Sequence, residues 1–127
     1  MYEIMITKKR KLGDFGERLA RRYLERNGHT VIDTNFQTRA GEIDIIARDA
    51  FSQLVFVEVK TRTSIAFGQP EESVTNLKQN KLLKTINDYL YRQNIQDDNW
   101  RLDIISVQPN FKTHRAKISH FKAIRFW

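Results

Sequence analysis

A mixed α/β domain, one central sheet with helices packed on it, is what the order of patterns along this chain predicts. Three observations carry that reading. Two segments repeat apolar residues at helical spacing, and several short segments between and after them are rich in Val, Ile, Leu and Phe. The connections between the first three strands are short, which makes them an antiparallel meander. A whole helix separates the third strand from the fourth, so those two are expected to lie parallel with a right-handed crossover.

The first helix is expected over roughly Asp14 to Asn27. Leu12, Phe15, Leu19, Tyr23 and Leu24 form one apolar face, with Arg18, Arg21, Arg22 and Glu25 on the other side. Asn27-Gly28 supplies the stop. TVIDTN, Thr30 to Asn35, reads as a short strand. EIDIIAR, Glu42 to Arg48, follows Gly41 as the second, and Asp49 to Gln53 connects it by a hairpin to the third, Leu54 to Thr61. After a loop holding Gly68 and Pro70, a helix is predicted over roughly Thr75 to Gln93, with Leu77, Leu82, Ile86, Tyr89 and Leu90 on its apolar side. RLDIISV, Arg101 to Val107, is a fourth strand, ended by Pro109-Asn110. A last short strand is expected at Ala116 to Ser119, and the ending HFKAIRFW receives no assignment.

The 127 residues suit one domain, residues 1–127, with no linker or repeat. Lys and Arg outnumber Asp and Glu by 22 to 15, a net charge of +7, which favours a polyanionic partner, nucleic acid most simply. Acidic membrane surfaces and ribosomes are polyanions too, so charge alone does not choose. Residues 1–11 hold KKRK, Lys8 to Lys11, readable either as a phosphate-contacting arm or as a solvated tail. Cysteine is absent, which excludes disulfides and thiolate metal sites and fits a reducing cytoplasm. No apolar run approaches the roughly 18 residues of a membrane span, and no apolar h-region marks a signal peptide.

LVFVEVKTR, Leu54 to Arg62, poses the chemical question. Glu58 and Lys60 interrupt a strand that otherwise reads as core, and burying either charge costs free energy unless it finds a partner. Residues two apart share a strand face, so Glu58 and Lys60 lie with Leu54 and Phe56, and Asp44 lies with Glu42, Ile46 and Arg48. If the two strands pair with these faces together, Asp44 and Glu58 converge. The site exists only on that condition. Two such carboxylates repel unless a cation sits between them, and hard oxygen ligands with an open side suit Mg²⁺. Lys60 then has a task beside a phosphate: to orient or deprotonate a water, or to stabilise developing charge. The competing reading is a solvated Glu-x-Lys pair on a strand edge, with Asp44 bonded to nearby backbone.

The acid-then-Glu58-Val59-Lys60 pattern resembles the PD-(D/E)xK nuclease superfamily, whose fold is restriction-endonuclease-like. More closely, GERLARRYL, NFQTRAGEIDIIARD, LVFVEVKTR, LKQNKLLKTINDYL and WRLDIISV resemble an uncharacterised bacterial family, the YraN type, which is similar to archaeal Holliday-junction resolvases. The likeness spans about residues 12 to 108. The superfamily's proline is replaced by Ile43. The resemblance implies that Asp44 and Glu58 hold a catalytic Mg²⁺ or Mn²⁺ with the Val59 carbonyl, and that Lys60 activates water or stabilises the transition state. Glu17 matches the glutamate that such resolvases carry on their first helix. The helical wheel also sets Glu17 about 20° from Leu24, at the margin of the buried face, while the competing role is an ion pair with Arg21. A homodimer acting on DNA, branched DNA in particular, is implied by the same similarity.

Around this core, Arg39 and Arg62 are candidates for phosphate contacts, as are Lys78 and Gln79 at the start of the second helix. A solvated helix face is the competing reading for the last two. Glu42 is read either as an acid supporting Asp44 or, by preference, as the ion-pair partner of Arg39 or Arg62, and Asp103 is expected to pair with Arg101 or with a turn donor. His29, His114 and His120 lack metal-ligand spacing, and Trp100, Phe36 and Trp127 are expected in packing before base stacking. The sequence thus predicts a metal-dependent nuclease acting on DNA. The alternative is a non-catalytic module that binds structured DNA or RNA.

Overall fold

The computed structural model describes residues 2–63 and 76–127, with side chains from residue 11 onward. Within them the elements are α1 (Tyr2–Arg26), β1 (Thr30–Gln37), β2 (Glu42–Arg48), β3 (Leu54–Thr61), α2 (Asn76–Arg92), β4 (Trp100–Asn110) and β5 (Arg115–Phe121). The five strands form one sheet in sequence order. All neighbours are antiparallel except β3 and β4, which are parallel. The mixed sheet, the meander and the crossover agree with expectation, and β2 and β3 have the predicted bounds. The loop assigned to Gly68 and Pro70 lies outside the described residues.

α1 and α2 cover opposite faces. Under α1, Ala20 and Leu24 pack on Ile45, Ala47, Val55, Val57, Ile105 and Val107. Under α2, Leu82, Ile86 and Tyr89 pack on Ile43, Ile46, Phe56, Leu102 and Ile104. Gly16, buried in α1, lets the helix lie directly on β3: a Cβ there would run into the Thr61 side chain. Both helices end in the same hydrogen-bonded turn. His29 N–H donates to the Leu24 carbonyl (2.9 Å) with Gly28 at φ 83°, and Ile95 N–H to the Leu90 carbonyl (2.8 Å) with Asn94 at φ 54°.

Three differences from expectation have physical causes. α1 begins at Tyr2, not Asp14; the run Lys8 to Lys11 breaks the apolar spacing by which the rest of the helix is read, so the segment before it is not joined to that face by the sequence pattern. β4 runs through Pro109, and β5 lengthens to match, starting at Arg115. The Val107 carbonyl accepts from Arg62 N–H on the β3 side, so the Pro109 nitrogen faces that side as well, where β3 has already ended. The unassigned C-terminus completes the α2 face. Ile124 N–H donates to the Leu102 carbonyl (2.8 Å), Ile124 and Phe126 pack on the core, and Trp127 stacks on Trp100 at 5.4 Å.

At the β2–β3 hairpin end lies a buried polar network. Asp103, fully buried, accepts from Arg101 Nε (3.0 Å), from His120 Nε2 (2.7 Å) and from Ala123 N–H (2.9 Å). Arg101 also donates through Nη1 to Asp49 (2.7 Å) and Gln53 (2.9 Å), and Tyr23 hydroxyl lies 3.1 Å from His120 Nδ1. The expected Asp103–Arg101 pair is thus part of a larger assembly. These bonds hold the Asp103 carboxyl below the usual carboxylate range against the opposing effect of its burial. Removing this acceptor takes the partner from Arg101 Nε, from His120 Nε2 and from the Ala123 amide, while Asp49 and Gln53 still hold Arg101 Nη1. Asp103→Ala is expected to lower unfolding free energy by about 3–5 kcal/mol in urea titrations, the cost of breaking a buried ion pair from one side; a loss well under 1 kcal/mol would show that the network is decorative.

Candidate active site at the open end of the sheet

β2 and β3 separate at their far end. Their ladder runs from Arg48–Leu54 to Ile45–Val57 and stops, so Asp44 has no Cα partner on β3. Into the opened seam Asp44 turns its carboxylate, and its Oδ2 accepts the Val59 N–H at 2.7 Å. The same place is irregular in β1 and β2. Asn35 adopts a left-handed φ of 52°, a conformation that Asn tolerates better than most residues. Ile45 packs under α1, while Ile43 and Ile46 both pack under α2. Strict alternation would put Ile43 and Ile45 on one face.

The expectation that Asp44 and Glu58 share a sheet face is not met, because the alternation behind it breaks at Asp44; what brings the two acids together is approach across the opened seam. Asp44 borders a depression on the α1 side with Glu17, Arg18, Arg21, Thr34 and Asn35. Glu58 and Lys60 border one on the α2 side with Glu42, Lys78, Lys81 and Leu82. The two meet across the seam through Val59, whose amide binds Asp44 and whose chain neighbours are Glu58 and Lys60.

Electrostatics joins the two halves. Burial pushes Asp44 up from 3.8 to about 7, aided by the charge of Glu17, by a hydrogen bond shared with Glu17 and by the charge of Glu42, while the Val59 amide opposes the rise. Burial likewise raises Glu58 from 4.5 to about 7, and after burial the charge of Asp44 is the largest contributor. Lys60 and Lys78 pull the other way. Lys60 Nζ lies 3.2 Å from Glu58 Oε1. Glu17 is raised too, by burial first, with the charges of Glu42, Asp14 and Glu58 adding to it and the bond to Asp44 opposing. The alternative ion pair of Glu17 with Arg21 does not form: Arg21 pairs with Glu25 at 3.7 Å.

The basic candidates sort by position. Lys78, exposed in the first turn of α2, borders the Glu58 depression, and Lys60, before burial, lowers its amine. Arg62, just past β3, adds its charge to the same effect. Gln79 sits beside Lys78, half-buried. Arg39 is exposed in the tight turn where Thr38 and Gly41 exchange backbone hydrogen bonds (2.9 and 3.3 Å), next to Gly41 and Glu42 at the rim. His29 and His120 belong to the polar network at the other end. Lys81, which has no candidate role in the sequence, borders the Glu58 depression as well. Its place at the rim was detectable only by fixing the turn of α2 that faces Gly41.

The donors suit a hard divalent cation. Among the described residues no three His, Asp or Glu side chains are gathered to hold an ion by themselves. Two carboxylates with a backbone carbonyl and water are what Mg²⁺ commonly accepts. The Asp44–Glu17 hydrogen bond needs a proton on one partner, and a cation can replace that proton.

Fold and site together define a mixed α/β domain with an acid–lysine cleft at the splayed end of its sheet. The chain belongs to the uncharacterised protein family UPF0102, whose family model matches residues 16–107 and so spans Glu17, Asp44, Glu58, Lys60 and Lys78. A UPF0102 protein of Alkaliphilus oremlandii is 44% identical over 115 residues, covering 89% of this chain and 96% of its own length. One from Clostridium beijerinckii is 40% identical over 111 residues, with 87% and 89% covered. One from Geobacter metallireducens is 43% identical over 111 residues, with 87% and 88% covered. The bacterial family suggested by the sequence motifs is thereby established.

Raised carboxylates leave a signature in stability. Between about pH 4 and about pH 7 the folded chain holds more protons on Asp44 and Glu58 than the unfolded chain, so stability from this source falls as pH rises through that window. His29, lowered chiefly by burial, acts in the opposite sense, and a difference between variants cancels it. In metal-free buffer, Asp44→Asn is expected to gain on the wild type between about pH 5 and about pH 8, by on the order of 1 kcal/mol or more in unfolding titrations. Parallel curves would remove the claim that Asp44 is a strained carboxylate.

Proposed function

We propose that this chain is a divalent-metal-dependent nuclease that hydrolyses phosphodiester bonds in DNA, with branched DNA the favoured substrate, and that it is a PD-(D/E)xK enzyme. One observation carries the reading: two half-buried carboxylates at an open sheet end, each pushed to about 7, with a lysine 3.2 Å from one of them. Structural acids in a fold are neutralised, as Asp103 is. Acids left wanting positive charge beside a lysine and an open cleft are arranged for a ligand that brings it.

Asp44 and Glu58 would hold Mg²⁺ or Mn²⁺ with the Val59 carbonyl. When bound, the ion supplies Lewis-acid polarisation of the scissile phosphate and of a water. Before a cation binds, Glu17 holds one side of Asp44 through their shared proton. The Val59 amide fixes the other side of the same carboxylate, so Asp44 is held before substrate arrives. Lys60, placed by Glu58, presents its ammonium to the phosphate oxygens where negative charge grows as water adds to phosphorus and the opposite P–O bond breaks. Lys78, Lys81, Arg39 and Arg62 ring the α2 side of the cleft and draw the backbone in, so association weakens steeply with salt. A branched substrate offers two equivalent strands, which two copies of the chain would cut together.

The test is cleavage of branched, duplex and single-stranded DNA, and of a matched RNA, with Mg²⁺ or Mn²⁺. Lys60→Ala and Glu58→Gln are each expected to reduce the rate by about 100-fold or more, the scale of losing one preorganised electrostatic contact. Residual cleavage equal to wild type in both variants would contradict the proposal. Tight binding with no cleavage of any substrate would point to the binding module instead.

A further inference from the structure

The β4–β5 hairpin is not used by the site as described. β4 runs parallel to β3, so its extension past Val107 leaves the sheet at the end where Lys60 lies. From Ile104 to Trp127 the chain carries five Lys or Arg and no Asp or Glu. Lys112, Arg115 and Lys117 are all exposed, and so is Phe111, with 61% of its surface open. The tip is rigid. Asn110 Oδ1 accepts the backbone N–H of Lys112 (3.0 Å) and of Thr113 (3.4 Å), and His114 takes a left-handed φ of 56° to close the turn.

A continuous track leads from this tip to the acids. Thr63 and Phe111 border both the depression along the hairpin and the next one, against α1. Asp14 and Arg18 border that second depression and also the one holding Glu17 and Asp44. Where hairpin meets helix, Phe111 lies 6.1 Å from Phe15, rings tilted by 42°, with Lys11 and Arg18 alongside. Basic side chains along an edge strand also discourage edge-to-edge pairing. That role does not account for Lys112, which lies beyond the last ladder pair, Asn110–Arg115, or for an exposed ring beside it.

We propose that the β4–β5 hairpin is a nucleic-acid-binding arm: Lys112, Arg115 and Lys117 hold backbone phosphates, and Phe111 stacks on an unpaired base next to the strand that enters the acidic site. Exposed cations along one edge with an aromatic face beside them match a polyanion that carries π-faces. Single-stranded segments expose such faces and continuous duplex does not. The inference rests on the nucleic-acid reading of the site and names the part of the substrate that lies outside the reacting phosphate.

Binding is measured by fluorescence anisotropy in EDTA, so that turnover plays no part, on a blunt duplex and on the same duplex with a single-stranded overhang. The triple variant Lys112→Glu/Arg115→Glu/Lys117→Glu changes exposed positions only. It is expected to bind both DNAs at least about tenfold more weakly, and its log Kd against log salt slope is expected to flatten by roughly 2 to 3. Phe111→Leu keeps an apolar contact for Phe15 but removes the stacking face. It is expected to lose about tenfold on the overhang DNA and nothing on the blunt duplex, with the salt slope unchanged. Unchanged affinity and slope in the triple variant overturn the inference, and if wild type still cleaves, the nuclease reading survives. Hairpin-dependent binding by a wild type that never cleaves sustains the arm and removes the nuclease. A wild type that binds neither DNA overturns the arm, and the nuclease reading then stands or falls on the cleavage of branched DNA with metal.

Discussion

The hydrogen bond from the Val59 amide to Asp44 is the contact on which the candidate site depends. It exists because β2 and β3 stop pairing one residue earlier, at Ile45 and Val57. Had the ladder continued, Val59 N–H would be spent on a backbone carbonyl and Asp44 would stand out from a flat sheet. The splay instead gives the carboxylate a fixed seat between strands, with Glu17 on one side of the seam and the Glu58–Lys60 pair reached across it. Gly16 serves the same arrangement from α1. Its missing side chain lets the helix close on Thr61, which brings the adjacent Glu17 down to the seam.

Two ends of one sheet show opposite solutions to the same problem. Asp103 and Asp44 are both acids set in apolar strands. Asp103 receives a guanidinium, an imidazole and an amide, and its carboxyl is held low. Asp44 receives one amide and a second acid, and its carboxyl is pushed high. Burial is common to both, so the partners decide the sign. The satisfied end ties β4 to β5, to the β2–β3 hairpin and to the C-terminus. The other end leaves its carboxyls raised, which on the proposed function keeps them ready for a cation, and Lys60, Lys78 and Lys81 gather on the α2 side of it.

Much of this was legible in the residues because the signals are local. β2 and β3 declare themselves as apolar runs interrupted by charge, β2 at Asp44 and β3 at Glu58 and Lys60, and the helix between β3 and β4 dictates that those two lie parallel. Glu17 was placed at the buried margin of α1 by the helical period, and it lies there. The failures come where tertiary context decides. Alternation carried Asp44 onto the face of Glu58 because no residue letter announces that Asn35 will turn left-handed and the strands will part. Pro109 reads as a strand end unless one knows that β3 has already stopped on that side. HFKAIRFW has no periodicity of its own, since its order comes from β4 carbonyls and from Trp100.

The central claim is that the seam between β2 and β3 is a cation site built from both sides. Anomalous diffraction from a crystal of this protein grown with Mn²⁺ tests it most directly. The account predicts one Mn²⁺ peak bounded by the Asp44 and Glu58 carboxylates and the Val59 carbonyl, with ligand oxygens at about 2.0–2.3 Å, near the Mg²⁺ value, and with the Asp44–Glu17 hydrogen bond opened or deprotonated. A crystal with Mn²⁺ bound elsewhere, or with Asp44 and Glu58 unchanged at saturating metal, would contradict it.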